Sequence, residues 1–269
     1  MSQRTIAAPG PNMGMIPAER QQLIIEYLSL NRSAKIKELA LYFGVSEATV
    51  RRDLDELASD GKLNRAHGGA IPVETSTSFE RIYSEKMLLM REEKERIAIS
   101  AAKLVKNGDT VLLDSGTTTF LVAKALAEFE DLIVITNDLH IADTVALHDS
   151  SSMLLTGGLR RGNDYHVLQG SMVDEFIRSI NVNIVFLSAD AISKESGVSN
   201  ATMAEAITKK LMLKAGKQKV LVTDHTKFGQ TALSHVCQMD QLDYLITDDG
   251  LDQDSREWLN TCGVQMILV

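Results

Sequence analysis

From residue 108 onward the chain repeats one pattern, and that pattern narrows the fold more than anything else in it. Short apolar runs at 110–114, 132–136, 153–156, 183–188, 219–223, 244–247 and 264–269 alternate with helical periodicity at 119–127, 139–147, 171–179, 202–215 and 253–261. Runs this apolar suit strands buried on both faces, and the helices between them supply the crossovers that parallel neighbours need. The expectation is an α/β fold: a mostly parallel sheet with helices on both faces. Such sheets take ligands in the crevice outside the carboxyl ends of their strands.

The loops at those ends are polar and rich in glycine. Asp114-Ser115-Gly116-Thr117-Thr118-Thr119 follows the first run and opens a helix. Hydroxyls and free amides at a helix N-terminus suit a phosphate, because the dipole and the unpaired N–H groups both favour an anion. There is no Walker lysine, so a capped Ser/Thr turn without ligand fits the same residues equally well. Further loops are Thr136-Asn137-Asp138, Thr156-Gly157-Gly158-Leu159-Arg160-Arg161, Ala189-Asp190-Ala191 and Asp224-His225-Thr226-Lys227-Phe228-Gly229. Asn137 can hydrogen-bond a hydroxyl, and Arg160, Arg161 or Lys227 can neutralise a phosphate.

The first 70 residues have another rhythm. Pro17 suits the first turn of a helix running to about Leu30, with Ile16, Leu23, Ile24, Tyr27 and Leu28 mostly on one face. A second helix fits 35–43, with Ile36, Leu39, Ala40 and Phe43 inward, and Gly44 supplies the left-handed residue that ends it. Ser46 is an N-cap for a third helix whose buried stripe is Val50, Leu54 and Leu57. Glu47, Ala48, Thr49, Arg51 and Arg52 then fall on or near its outer surface, toward the N-terminal half, where groove-reading side chains lie. Gly61 ends this helix, and 63–70 suits a two-stranded wing with a Gly68-Gly69 turn. An Arg-Arg pair alone is usually a solvated helix face. Helix, glycine turn, Ser cap, paired arginines and wing in this order point to the DNA major groove.

Pro17-Ala18-Glu19-Arg20, Glu38-Leu39-Ala40, Phe43-Gly44-Val45-Ser46, Thr49-Val50-Arg51-Arg52-Asp53-Leu54 and Arg65-Ala66-His67-Gly68-Gly69-Ala70 resemble the signature of the DeoR family, bacterial repressors of sugar catabolism. The resemblance implies a winged helix-turn-helix in which Ser46, Thr49, Arg51 and Arg52 face double-stranded operator DNA, with Arg65 and His67 on the wing; Glu47, on the same outer face, is a further candidate contact. It continues more diffusely over roughly 80–267. There Asp114-Ser115-Gly116-Thr117-Thr118, Thr136-Asn137, Gly157-Gly158, Gly170, Gly197 and Thr223-Asp224-His225-Thr226-Lys227-Phe228-Gly229 resemble the family's effector domain, which is similar to ribose-5-phosphate isomerase. That implies a phosphorylated sugar or sugar acid as effector. Its candidate contacts are Asp114, Ser115, Gly116, Thr117, Thr118, Thr119, Asn137, Gly157, Gly158, Arg160, Asp190 and Lys227.

The charge distribution fits this division. The chain carries −8, but of its 28 basic and 36 acidic residues nine of each lie in 1–75, so the remainder carries all of it. DNA contact then depends on a local basic face and on a homodimer or higher oligomer, with Asp53, Asp55 and Glu56 lowering the basicity. The expected organisation is a flexible leader at 1–15, a winged helix-turn-helix at 16–72, a linker and connecting helix at 73–92, and the effector domain at 93–269. Helical character runs from Tyr83 to about Val105, and the charged run Arg91–Arg96 reads as a solvated face. Cys237 and Cys262 have no metal-ligand spacing and read as buried thiols in a reduced cytoplasmic compartment. No apolar run reaches membrane-span length, so no membrane partner is expected, and neither cofactor nor metal is. Ser171 is a candidate cap for the helix that follows Gln169-Gly170. The alternative is a sugar-phosphate isomerase or deaminase with an appended DNA-binding module. It would need two of Asp114, Asp190, Glu195, Glu205, Asp224 and Lys227 to converge as base and partner.

Overall fold

The computed structural model describes residues 15–31, 33–66, 68–72, 83–161 and 166–269. The leader to residue 14, His67 and the linker at 73–82 lie outside them. The chain divides into two compact units, Met1–Thr75 and Ser76–Val269.

The first unit runs α1 (Pro17–Asn31), β1 (Ala34–Lys35), α2 (Ile36–Phe43), α3 (Glu47–Ser59), β2 (Leu63–Ala66) and β3 (Gly69–Pro72). Gly44 takes φ 63° and ends α2, and the Ser46 side chain accepts the Thr49 N–H to start α3. Ile24, Leu28, Ile36, Leu39, Phe43, Val50, Leu54 and Leu57 form its core with Leu63. Ile16 is exposed, so the inward face of α1 starts later than its apolar residues suggest. The wing has a third strand: β1 pairs with β3, which pairs with β2. Gly69 makes that possible, since a Cβ there would sit 2.0 Å from the Ala34 carbonyl oxygen.

The second unit opens with α4 (Tyr83–Leu88), α5 (Arg91–Ala102), β4 (Thr110–Leu113), α6 (Thr117–Ala125), β5 (Ile133–Thr136), α7 (Leu139–Thr144) and β6 (Ser152–Leu155). A hairpin, β7 (Leu159–Arg160) and β8 (Leu168–Gln169), leads to α8 (Ser171–Arg178) and β9 (Val182–Leu187). Then come β10 (Ala191–Ser193), β11 (Gly197–Asn200), α9 (Met203–Ala215), β12 (Gly216–Val222), β13 (Ser234–Cys237), β14 (Tyr244–Thr247), α10 (Gln253–Thr261) and β15 (Gln265–Leu268). All seven runs picked out by hydropathy are strands of one parallel sheet, in the order β15-β14-β12-β9-β4-β5-β6. Alternate residues face opposite cores. Leu112, Val185, Leu187, Leu221 and Leu245 pack on α8, α9 and α10. Val111, Leu113, Ile184, Phe186, Val220 and Ile246 pack on α5 and α6. The chain starts in the middle at β4, lays β5 and β6 to one side, then returns to lay β9, β12, β14 and β15 to the other. The direction therefore switches between β4 and β9, the position at which sheets of this kind take ligands.

Three features depart from the sequence reading. The antiparallel sheet β10-β11-β13 and the β7–β8 hairpin were not anticipated, being strands of two to four residues inside apparent loops. The helix expected from Tyr83 to Val105 breaks after Leu88, where Met90 takes φ 50°. The charged run after the break is not wholly solvated: Lys94 is buried, and its ammonium donates to the carbonyls of Lys86 at 2.5 Å and Leu89 at 2.7 Å. Those are orphan carbonyls at the end of α4, so the lysine completes a helix terminus. Burial lowers its pKa to about 8, against the pull of Asp224. Cys237 is buried, which pushes its thiol up to about 12, whereas Cys262 is only half-buried.

Candidate functional site

Two polar surfaces stand out, one in each unit. On α3 the inward stripe Val50, Leu54 and Leu57 leaves Arg51 and Arg52 exposed beside Glu47 and Ala48. Arg51 reaches Glu47 at 3.4 Å, with both side chains more than two-fifths exposed. Such a pair is worth at most about 1 kcal/mol, so the arginine is readily surrendered to a phosphate or base. Asp53 was expected to dilute the positive face, but it points the other way. It is 2 % exposed and takes a bidentate bond from Arg20 of α1, Nε at 2.6 Å and Nη2 at 3.0 Å. The reason is position: Asp53 falls on the same side of α3 as Val50, Leu54 and Leu57. Asp55 does remain outside, and it pairs with Arg65 of the wing at 3.0 Å. Arg65 also donates to the Gly69 carbonyl at 3.2 Å, which ties the wing to α3. Ser46 spends its hydroxyl on the Thr49 N–H at 3.1 Å, a helix cap first and a surface group second. The expectation for His67 falls outside the described residues.

In the second unit the ends of β4, β9 and β5 are laced together. Asp114 follows β4, is 3 % exposed, and accepts from Ser188 N at 3.0 Å, Ser188 Oγ at 2.7 Å and the Lys209 ammonium. Lys209 comes from α9, is equally buried, and donates to the Ser188 carbonyl at 2.8 Å as well. Gly116 is required where β4 meets β9: a Cβ there would lie 2.7 Å from Ser188 Oγ. Ser115 donates to Asp138 at 2.7 Å, joining β4 to β5. Asp138 also caps α7 through the N–H groups of His140 and Ile141.

Gly116 is the N-cap of α6 and offers no side-chain cap, so the helix opens with its first N–H groups at the carboxyl end of β4. Thr117 and Thr118 are nearly buried, and Thr119 is fully buried with its hydroxyl spent on the Gly116 carbonyl at 2.9 Å. The cradle is thus mainly backbone. Ser171 is the first residue of α8, not its cap; that position is Gly170, also without a side-chain bond.

Asp190, two residues beyond Ser188, is the junction of the next group. Its Oδ1 accepts from Lys86 of α4 at 3.0 Å, and its Oδ2 from Asn200 Nδ2 and Ala201 N, both at 3.0 Å. Burial opposes its ionisation, but Lys86, the Ala201 N–H, Lys227 and Lys209 together hold its carboxyl well below the usual range. Asn200 bridges on to Glu205 at 3.3 Å, and Glu205 takes Arg161 at 2.9 Å. Arg161, a candidate phosphate partner, is therefore committed to a carboxylate. Arg160 is exposed on β7. Lys227 is part-buried in a single 3₁₀ turn that Asp224 caps. Gly157 and Gly158 lie where the hairpin begins; a Cβ on Gly158 would strike Val173 of α8 at 2.6 Å. Asn137 is buried, its amide donating to the Leu168 carbonyl at 3.0 Å.

Of the groups that an isomerase would use, Asp190, Glu205 and Lys227 do come together, since Asn200 bridges the two carboxylates and Lys227 helps to hold Asp190 ionised. Asp114 meets a lysine and a serine, but in a buried, saturated knot. Asp224 caps a turn, Asp190 is held by three donors, and Glu195 is exposed at the β10–β11 turn. Sequence reasoning missed Lys209, Lys94, Lys86 and Asn200. Three of these lie on helix patterns that read as amphipathic, and Asn200 lies on a short strand read as loop. Among the described residues no group of three or more His, Cys, Asp or Glu could hold a metal, and no helix is long and apolar enough to cross a membrane.

Residues 20–76 match the DeoR-like helix-turn-helix domain, and residues 90–249 match the DeoR C terminal sensor domain. The HTH-type transcriptional regulator GlpR of Haloferax volcanii is 35% identical over 94% of this chain and 98% of its own. A putative aga operon transcriptional repressor of Escherichia coli O157:H7 is 34% identical, covering 94% of each chain. The glycerol-3-phosphate regulon repressor of Escherichia coli K12 is 32% identical over 87% of this chain and 92% of its own. Among solved structures, ribose 5-phosphate isomerase from Plasmodium falciparum aligns with a TM-score of 0.36 at 16% identity, over 51% of this chain and 52% of that one.

Proposed function

The chain belongs to the DeoR family of helix-turn-helix transcriptional regulators, and from that premise we propose that it is a repressor of a carbohydrate-catabolism operon released by a phosphorylated sugar or sugar acid. The observation that carries the reading is the outward face of α3. Arg51 and Arg52 are exposed on a Ser46-capped helix, while Asp53, the carboxylate between them and the core, is buried against Arg20. Ser46, Glu47, Thr49, Arg51 and Arg52 face the major groove in this reading, and Arg65 and His67 lie along the backbone. One short helix makes few base contacts, so two copies sit on a two-fold operator.

The effector occupies the crevice between β4 and β9. Its phosphate lies against the open N-terminus of α6 at Ser115–Thr118, with Lys227 and Arg160 as counter-charges, and its remainder extends toward Asn137 and Asp190. The relative named for a glycerol-3-phosphate regulon supports a phosphorylated ligand. Binding releases DNA only if the ligand prefers the DNA-free arrangement. We place the module boundaries at 16–72, 73–92 and 93–269. The second module is a sensor in this reading, because its buried carboxylates are all engaged by the fold. The test selects genomic fragments with the purified protein, then adds sugar phosphates. Release by one of them and loss of binding in the double variant Arg51→Ala, Arg52→Ala are expected. Unchanged binding by that variant refutes the DNA assignment, and steady isomerisation or ammonia release refutes the sensor.

A further inference from the structure

Tyr83 is the first residue of α4 and the first described side chain after the linker at 73–82. Its ring is buried, and its hydroxyl is hydrogen-bonded to nothing among the described residues. Ring packing, not a hydrogen bond, therefore holds it in place. The rings around it are imidazoles from two other elements. His166, in the β7–β8 loop, meets Tyr83 at a steep angle with centroids 4.6 Å apart, and His140 of α7 does so at 5.6 Å. The two imidazoles lie 5.0 Å from each other, and His140 stacks on Phe120 of α6 at 4.5 Å. One aromatic cluster thus joins the helix after the linker to three elements of the sensor.

The charged groups that face this cluster among the described residues are Asp138, Arg160 and Lys124. Asp138 accepts the His140 N–H and the Ser115 hydroxyl, each at 2.7 Å, and the Lys124 ammonium lies 5.8 Å from the Phe120 centroid. On His166 burial acts most strongly and disfavours the proton; Asp138 pulls the other way, while His140 and Arg160 side with burial. The balance holds the imidazole below its ordinary pKa of 6.5. A histidine that holds its proton less tightly when packed than in water makes the packing proton-dependent. The packed arrangement is fully favoured above the ordinary pKa and loses ground as pH falls through the lowered one. Two further ties hold α4: Lys86 meets Asp190 at 3.0 Å, and the Lys94 ammonium meets the carbonyls of Lys86 and Leu89. Both titrate elsewhere, since Asp190 is held well below the usual carboxylate range and Lys94 has a pKa of about 8.

We propose that Tyr83, His140 and His166 form a proton-sensitive latch, which fixes the helix after the linker to the sensor while both imidazoles are neutral and frees it when His166 is protonated. The inference stands apart from the effector reading, because it needs no ligand at the strand ends. The sensor end of the linker is then held above about pH 6.5 and loosened below it.

Amide hydrogen exchange of the full chain is followed by mass spectrometry at several pH values between about 5 and 7, with rates corrected for the intrinsic pH dependence of exchange. Peptides covering α4 are expected to lose at least about 3-fold in protection from the top of that range to the bottom, one proton setting a ceiling of about tenfold per pH unit. Peptides of α9 are expected to stay constant. His166→Gln is expected to abolish the change in α4. Tyr83→Phe keeps the ring and removes the unmatched hydroxyl, so it is expected to retain both the protection and its pH dependence. Constant α4 protection in the unmodified chain, an equal fall in His166→Gln, or a fall shared equally by α9 refutes the latch. Loss of α4 protection in Tyr83→Phe at neutral pH also refutes it, since the hydroxyl would then be what holds the helix. The contrast between α4 and α9 in the unmodified chain decides the matter even if His166→Gln fails to fold.

Discussion

Replacing Lys209 by Met tests whether Asp114 is held by the fold or reserved for a ligand. The two side chains are 2 % and 4 % exposed, so neither can be rescued by water without local opening. In Lys209→Met, Asp114 keeps the Ser188 N–H at 3.0 Å and the Ser188 hydroxyl at 2.7 Å but loses its counter-charge. An uncompensated buried charge of this kind costs about 3–5 kcal/mol. Asp114→Asn leaves the lysine with the Ser188 carbonyl at 2.8 Å and hydroxyl at 3.2 Å, and belongs in the same range. The double variant removes both charges, with Met filling the lysine's hydrocarbon volume, and should recover most of the loss. The cycle therefore predicts a coupling of several kcal/mol between the sites. Denaturation followed by the fluorescence of Trp258, the chain's one tryptophan, reports on the C-terminal unit where both residues lie. A loss of ~3–5 kcal/mol corresponds to a fall of roughly 6–20 °C in the melting temperature of a domain this size. Additive single effects, or a Lys209→Met cost below about 1 kcal/mol, would show that the pair does not hold the β4 and β9 ends together.

Other outcomes follow from the same geometry. Asp53→Ala leaves Arg20 buried and unpaired and should destabilise the N-terminal unit by about 3–5 kcal/mol, seen as a lower denaturation midpoint for that unit. Asp55→Asn removes only an exposed partner of Arg65; stability should change by less than about 1 kcal/mol while DNA affinity rises and its salt dependence steepens. Lys94 has a folded pKa of about 8 against an ordinary 10.5, so the unfolded chain holds that proton more tightly. Stability should therefore rise with pH across that window, and denaturant titrations of Lys94→Met should lack that rise. Lys86 is the contact of α4 with the Asp190 loop, and α4 directly follows the linker. Lys86→Met should keep DNA binding yet shift the effector concentration needed for release; an unchanged release curve would exclude Lys86 from the coupling.

What could be read ahead of the structure was whatever local chemistry decides. Each strand of the parallel sheet announces itself because burial on both faces requires an unbroken apolar run, and the β4 and β5 bounds fall within a residue of the hydropathy pattern. The Ser46 cap and the Gly44 turn are equally local. Asp53 was misjudged because its neighbours in sequence, Arg51, Arg52 and Asp55, are all on the surface. Only the approach of α1 shows that Asp53 lies inward with a partner 33 residues away. Lys94 was misjudged for the same reason, since a charged run gives no sign that one member turns in to cap a broken helix.

The order of elements, the DNA-reading helix and the polar loops at strand ends were thus determined by the sequence alone, through periodicity, capping and turn chemistry acting within a few residues. Which loops meet was decided by tertiary structure. The switch in strand order between β4 and β9 puts Asp114 against Ser188 and Lys209, 74 and 95 residues distant, and makes a structural knot of a residue that reads as a ligand contact. Hydrogen-bond satisfaction of a buried group depends on every element packed around it, so no local stretch of sequence can reveal it.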